Sequence, residues 1–157
     1  MRPGLPIAVR LTGEQRRPAL RSSLSGMAAH WTIGADANNP AALAAFWAVA
    51  LDYVLEPGYD DPDGASIVDP AGIGSAIGFL RVPEAKTAKN RFHVDIRVAG
   101  EPPWDWAERA DLIRAAVDRL VAHGATAVRE EYYTDEDGRV LGHVVMSDPE
   151  GNEFCVA

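Results

Sequence analysis

From Trp31 onward the chain switches between two hydrophobic periods. "HWTIGAD" (His30–Asp36) carries Trp31, Ile33 and Ala35 at every second place, which predicts a short strand. "NNPAALAAFWAVAL" follows with Leu43, Phe46, Trp47 and Ala50 at three- and four-residue spacing, the stripe of an amphipathic helix. Asn39 suits the N-cap of that helix and Pro40 its first turn. The period then returns to two in "YVLEP", "ASIVDP" and "AIGFLRV", three strand-like runs separated by Gly, Pro and Asp turns.

The same order recurs. "FHVDIRV" predicts a strand, and "WDWAERADLIRAAVDRLVAH" predicts a helix with Trp106, Ala110, Ile113, Val117, Leu120 and Val121 on its apolar face. Gly124 is placed to cap that helix. "TAVREEYY", "RVLGHVVMS" and "NEFCVA" predict three more strands, and the acidic "EEYYTDEDG" a solvated hairpin turning at Asp137-Gly138. Before the last strand of each half stands a related turn, "DPAG" (Asp69–Gly72) and "DPEG" (Asp148–Gly151). The expectation is an α+β protein of two βαβββ modules that complete one core. Module one would cover 28–84, a linker 85–90 and module two 91–157, all one domain.

Composition narrows the picture. A chain of 157 residues, 47% apolar and 24% charged, suits one globular domain. Residues 1–27 hold five arginines against Glu14, a net of +4, and show no periodicity; they are expected to be a poorly ordered extension, with Met27 an alternative start to Met1. The total of −8 leaves −12 on the remainder, which argues against nucleic acid as a partner. No apolar run approaches the roughly 18 residues of a membrane span, and no continuous apolar stretch follows the N-terminal arginines as a secretory signal would require. Cys155 is the only cysteine, which fits a cytoplasmic protein. "DPAGIGSAIG" lacks the lysine and following helix of a phosphate loop.

With "FW" in the first helix, "KNRFHVD" at the join and "DPEGNEFCV" at the end, residues 28–157 resemble the vicinal oxygen chelate superfamily, and within it the glyoxalase-like proteins common in actinobacteria. The resemblance implies two βαβββ modules pairing as curved mixed sheets around a cavity, and sometimes a homodimer. It leaves the activity open among glyoxalases, extradiol dioxygenases, epimerases, thiol transferases and drug-sequestering (bleomycin resistance-like) proteins.

Strand parity selects candidate site residues. In "RFHVDIRV", Phe92, Val94, Ile96 and Val98 share the face expected to pack on the helices, while His93, Asp95 and Arg97 share the other. By the same rule His30 and Thr32 on the first strand, and Glu153 and Cys155 on the last, face away from the helices and could converge with His93 and Asp95 on one cavity. Metal-dependent members of the superfamily place a histidine on the first strand of each module and a carboxylate on the last, leaving open positions on the ion for two substrate oxygens. Carried onto this chain, those positions fall on Thr32, His93, Cys155 and Phe79 or Arg81. His93 alone matches. His30 and Glu153 lie one strand step, about 6.6 Å, from the positions they would have to fill. No cofactor is therefore favoured. A divalent Zn, Ni, Fe or Mn held by His30, His93 and Glu153 is the alternative.

The expectation is a small-molecule protein. As an enzyme it would resemble the lyases or dioxygenases of the superfamily, with His93 as general base or ligand and Glu153 or Asp95 orienting it. As a binder it would sequester a drug-like compound. Ligand contacts are expected from His30, Thr32, Phe79, Arg81, His143 and Cys155. Cys155 could serve as a nucleophile only if His93 lowered its pKa; a small buried thiol is the simpler reading. Trp104 and Trp106 are taken as core or lid aromatics, and His123 as a structural residue at a helix end.

Overall fold

A computed structural model describes residues 29–135 and 138–157. The N-terminal extension expected over 1–27, and the Glu136 and Asp137 of the expected turn, lie outside the described residues. Module one comprises β1 (Ile33–Ala37), α1 (Pro40–Leu51), β2 (Val54–Leu55), β3 (Gly64–Val68) and β4 (Ile77–Arg81). Module two comprises β5 (Asp95–Ile96), α2 (Trp106–Ala122), β6 (Thr126–Asp135), β7 (Gly138–Ser147) and β8 (Glu153–Val156). Each module is a four-stranded mixed sheet with one helix, and the two sheet orders correspond: β1-β4-β3-β2 and β5-β8-β7-β6. In each, the first strand lies parallel to the last and the rest are antiparallel.

Local chemistry accounts for the helices. The Asn39 side chain accepts from Ala42 N at 3.3 Å and Pro40 opens α1. Asp105 caps α2 through Ala107 N and Glu108 N at 2.9 and 3.0 Å. At the other end of α2, Gly124 adopts φ +102°, and Gly124 N and Ala125 N bond back to the Val121 and Leu120 carbonyls. This is the left-handed termination that a side chain would strain.

Leu43, Phe46, Trp47 and Ala50 of α1 are all buried. Phe46 and Trp47 pack edge-on against Phe154 of β8, with ring centroids 5.9 and 5.1 Å away, so one core crosses from module one into module two. On α2 the buried set is Arg109, Ala110, Ile113, Ala116 and Leu120, whereas Val121 is 46% exposed. Arg109 takes space the apolar stripe leaves free: its guanidinium donates to Leu141 O at 2.7 Å and lies 4.8 and 5.4 Å from the rings of Trp104 and Trp106. Burial pulls its pKa below the usual guanidinium value.

Two expectations are corrected. Regular pairing in "FHVDIRV" is confined to β5, extended by the Val94–Cys155, Ile96–Ala157 and Val98–Ala157 hydrogen bonds. Val94, Ile96 and Val98 do pack on the core, but Phe92 precedes the pairing and is almost fully exposed. "YVLEP" likewise contributes only two paired residues. Parity holds only where the ladder holds the backbone extended.

Candidate active site

The site begins with unequal coverage of one strand. Ile33, Ala35 and Ala37 of β1 share a face with Ile77 and Phe79 of the neighbouring β4. Burial falls steadily toward the strand's start, from Ala37 (buried) through Ala35 (half-buried) to Ile33 (37% exposed). A cavity of about 910 Å³ opens over this strip. Ile33, Ala35, Leu43, Trp47, Ile77 and Phe79 form its apolar wall, and residues 84–90 of the connecting segment also line it. The volume suits a small organic molecule.

Two devices hold that geometry. Asp148, 4% exposed, is a hub in the turn between β7 and β8. One of its carboxylate oxygens accepts from Glu150 N (3.0 Å), Asn152 N (2.9 Å) and Asn152 Nδ2; the other accepts from the indole Nε1 of Trp47 (3.1 Å) and again from Asn152 Nδ2. Glu150 then reaches the start of α1, accepting from Asn38 N at 2.8 Å and Asn39 N at 2.7 Å, where a negative charge is favoured by the helix dipole. Asn38 in turn donates to the Val82 and Glu84 carbonyls, both at 2.9 Å, and so anchors the start of the connecting segment. The corresponding Asp69 turn in module one is closed on itself: its carboxylate accepts from Ala71, Ile73 and Gly74 N, which lowers its pKa.

Lys89, His93 and Glu153 form one polar cluster in the cavity lining, which also carries Asp36, Glu84, Lys86, Asp148 and Glu150. Glu153, the first residue of β8, receives a hydrogen bond from the Lys89 ammonium. His93 Nε2 lies 3.9 Å from the same carboxylate oxygen, too far for a hydrogen bond and close enough for mutual charge stabilisation. The Lys89 hydrogen bond, against a smaller opposing effect of burial, holds the Glu153 carboxyl below its ordinary pKa.

The remaining candidates divide. Phe79 lines the cavity with His93 and Glu153. Asp95 and Cys155 are register partners on β5 and β8 and do not line it. The Cys155 thiol is buried, and desolvation, reinforced by Asp95, pushes its pKa up to about 11, which removes the basis for a thiolate nucleophile. His143 stands on β7 with Nδ1 3.3 Å from the Tyr133 hydroxyl. Arg81 is tied to Asp63 at 3.1 Å and to Asn38 O at 2.9 Å, beside a shallow surface depression. His30 and Thr32 precede β1 and are exposed. His123 caps α2, its ring Nδ1 2.8 Å from Arg119 O. Lys89, Asp148 and Glu150 were not singled out by parity. The repeated "DPxG" turn was the available signal for the last two, and Lys89 sits in the same "KNRFHVD" run as His93.

Residues 32–157 match the family model of the glyoxalase-like domain, and the chain belongs to that family. Structural likeness extends to the wider glyoxalase/bleomycin resistance/dioxygenase superfamily. A family enzyme from Burkholderia phytofirmans PsJN aligns over 80% of this chain and 94% of its own, with 17% identity and a TM-score of 0.58. A mutant of the fosfomycin resistance protein FosX from Listeria monocytogenes, complexed with Mn(II) and 1S,2S-dihydroxypropylphosphonic acid, aligns over 83% and 90%, with 12% identity and a TM-score of 0.58. A possible glyoxalase from Bacillus cereus aligns over 82% and 96%, with 16% identity and a TM-score of 0.51. No curated protein matches the sequence.

Among the described residues no group of three or more His, Cys, Asp or Glu side chains could hold a metal ion. Of the alternative set, His93 and Glu153 adjoin one another, but Glu153 is already engaged by an ammonium. Among the described residues no helix is long and apolar enough to cross a membrane.

Proposed function

We propose that the cavity takes a small, largely apolar molecule and presents its polar group to His93 and Glu153. The observation that carries this reading is the pairing of the two side chains, 3.9 Å apart, in a cavity with an apolar wall of Ile33, Leu43, Trp47, Ile77 and Phe79. His93 Nε2 would accept a proton or hydrogen bond from the ligand. Glu153, kept ionised by Lys89, would stabilise the imidazolium that results. No step needs a metal. A second reading, sequestration without turnover, is supported by the apolar wall of Ile33, Leu43, Trp47, Ile77 and Phe79, which supplies affinity but no chemistry.

The test is calorimetric titration of the protein and of His93→Gln with small aromatic compounds, alongside chromatography of each compound after incubation. Binding that weakens about tenfold or more in a folded His93→Gln variant, as expected for a lost hydrogen bond to a charged or ionising group, supports the site. Conversion of a compound by the wild type but not the variant selects catalysis over sequestration. Equal affinity in both proteins removes His93 from the site.

A further inference from the structure

We propose that Lys89 is the cationic group of this site. Its ammonium would hold an ionised ligand oxygen beside His93, so that the cavity selects molecules bearing a weakly acidic hydroxyl, a phenol or an enol. The inference rests on the cavity reading above and adds the ligand's chemical class.

Three observations converge on it. Lys89 and His93 both approach the same oxygen of Glu153, so their nitrogens flank one small volume in the cavity lining. Nε2 at 3.9 Å is not hydrogen-bonded to that carboxylate and remains able to take a proton from an incoming hydroxyl. The Lys89 ammonium has three N–H groups, and the bond to Glu153 uses one direction of the three.

Charge balance then selects the ligand. Lys89 and Glu153 cancel, so with a neutral imidazole the trio has no net charge; Arg129 acts on Glu153 as a further cation, and the other charged residues lining the cavity, Asp36, Glu84, Lys86, Asp148 and Glu150, leave it negative. A carboxylate would arrive with an extra negative charge against Glu153. A neutral hydroxyl brings its own proton: the O–H bond breaks, its electron pair stays on the oxygen, and the proton passes to His93 Nε2. The bound state then pairs two cations, Lys89 and His93, with two anions, Glu153 and the ligand oxygen. A positive charge within a few ångströms favours the ionised oxygen.

Lys89 has a side chain that is 57% exposed, so its ion pair contributes little to folding and its replacement leaves a folded protein. The experiment uses 4-nitrophenol, whose ionised form absorbs in the visible, and 4-nitroanisole, its non-ionisable methyl ether. Each is titrated with the full chain and with Lys89→Met, and Arg97→Met, a surface cation outside the cavity, is the control. The expected result is that both probes bind the wild type and that the pH midpoint for ionisation of bound 4-nitrophenol falls by about one unit. In Lys89→Met that shift should be lost while nitroanisole still binds, and Arg97→Met should behave as wild type. If nitroanisole binds but the nitrophenol midpoint does not move, or moves equally in Lys89→Met, the Lys89 inference is overturned and the cavity reading stands. If neither probe binds, both are overturned.

Discussion

Replacing Asp148 should show how far the site depends on one buried carboxylate. Asp148→Ala removes the acceptor for Trp47 Nε1, Glu150 N and Asn152 N together. Glu150 and Asn152 are only partly buried, so water can replace much of what their amides lose, at roughly 0.5–1 kcal/mol each. Trp47 is 7% exposed, and its stranded indole N–H should cost about 1–3 kcal/mol. The loss expected is therefore about 3 kcal/mol, a large part of a domain's usual 5–15. Asp148→Asn keeps one oxygen and should lose about half as much. The assay is urea unfolding followed by circular dichroism, with the midpoint falling and the slope unchanged. Trp47→Phe keeps the ring packing while deleting the donor, so a double-mutant cycle with Asp148→Asn should return a coupling of about 1 kcal/mol. A loss under about 1 kcal/mol for Asp148→Ala, or no coupling to Trp47, would refute the claim that this hub joins the β7–β8 turn to α1.

Two further outcomes follow from the same structure. Cys155 should resist thiol reagents in the folded protein and react fully in urea; because its folded pKa is raised from 9.0 to about 11, its contribution to stability is complete below pH 9 and is lost as pH rises through 11, which a pH series of melting temperatures will show. Rapid stoichiometric labelling of native protein would contradict the first of these. Gly124→Ala should cost about 1 kcal/mol or more, because its φ of +102° is strained for any side chain, and an unchanged urea midpoint would count against the α2 termination described here.

The order of elements was legible along the chain because its signals are local. Asn39 and Pro40 start α1, Gly124 ends α2, and the return from a helical to a two-residue period marks each set of strands. The repeat of that order, with its "DPxG" turns, was enough to predict two βαβββ modules in an α+β fold, and the structure has them. His93 and Glu153 stand 3.9 Å apart, but parity does not account for their meeting: His93 precedes the paired residues of β5, and Asp95 and Cys155, expected on the same face, do not line the cavity while Val94 does.

What the sequence could not determine was depth and company. Parity tells which side of a strand a residue takes, but not whether a helix covers that side along its whole length. Here α1 buries Ala37 and leaves Ile33 partly open, so the cavity formed over the apolar strip of β1 and not beside His30 and Thr32. Parity also failed at Phe92, where no ladder held the backbone. Lys89 on Glu153, Glu150 on the start of α1 and Trp47 on Asp148 join residues 64, 112 and 101 positions apart. Such contacts leave no periodic trace in the sequence. They arise only when the two modules close on a shared core, because a charge or hydrogen-bond partner is decided by where folded surfaces meet.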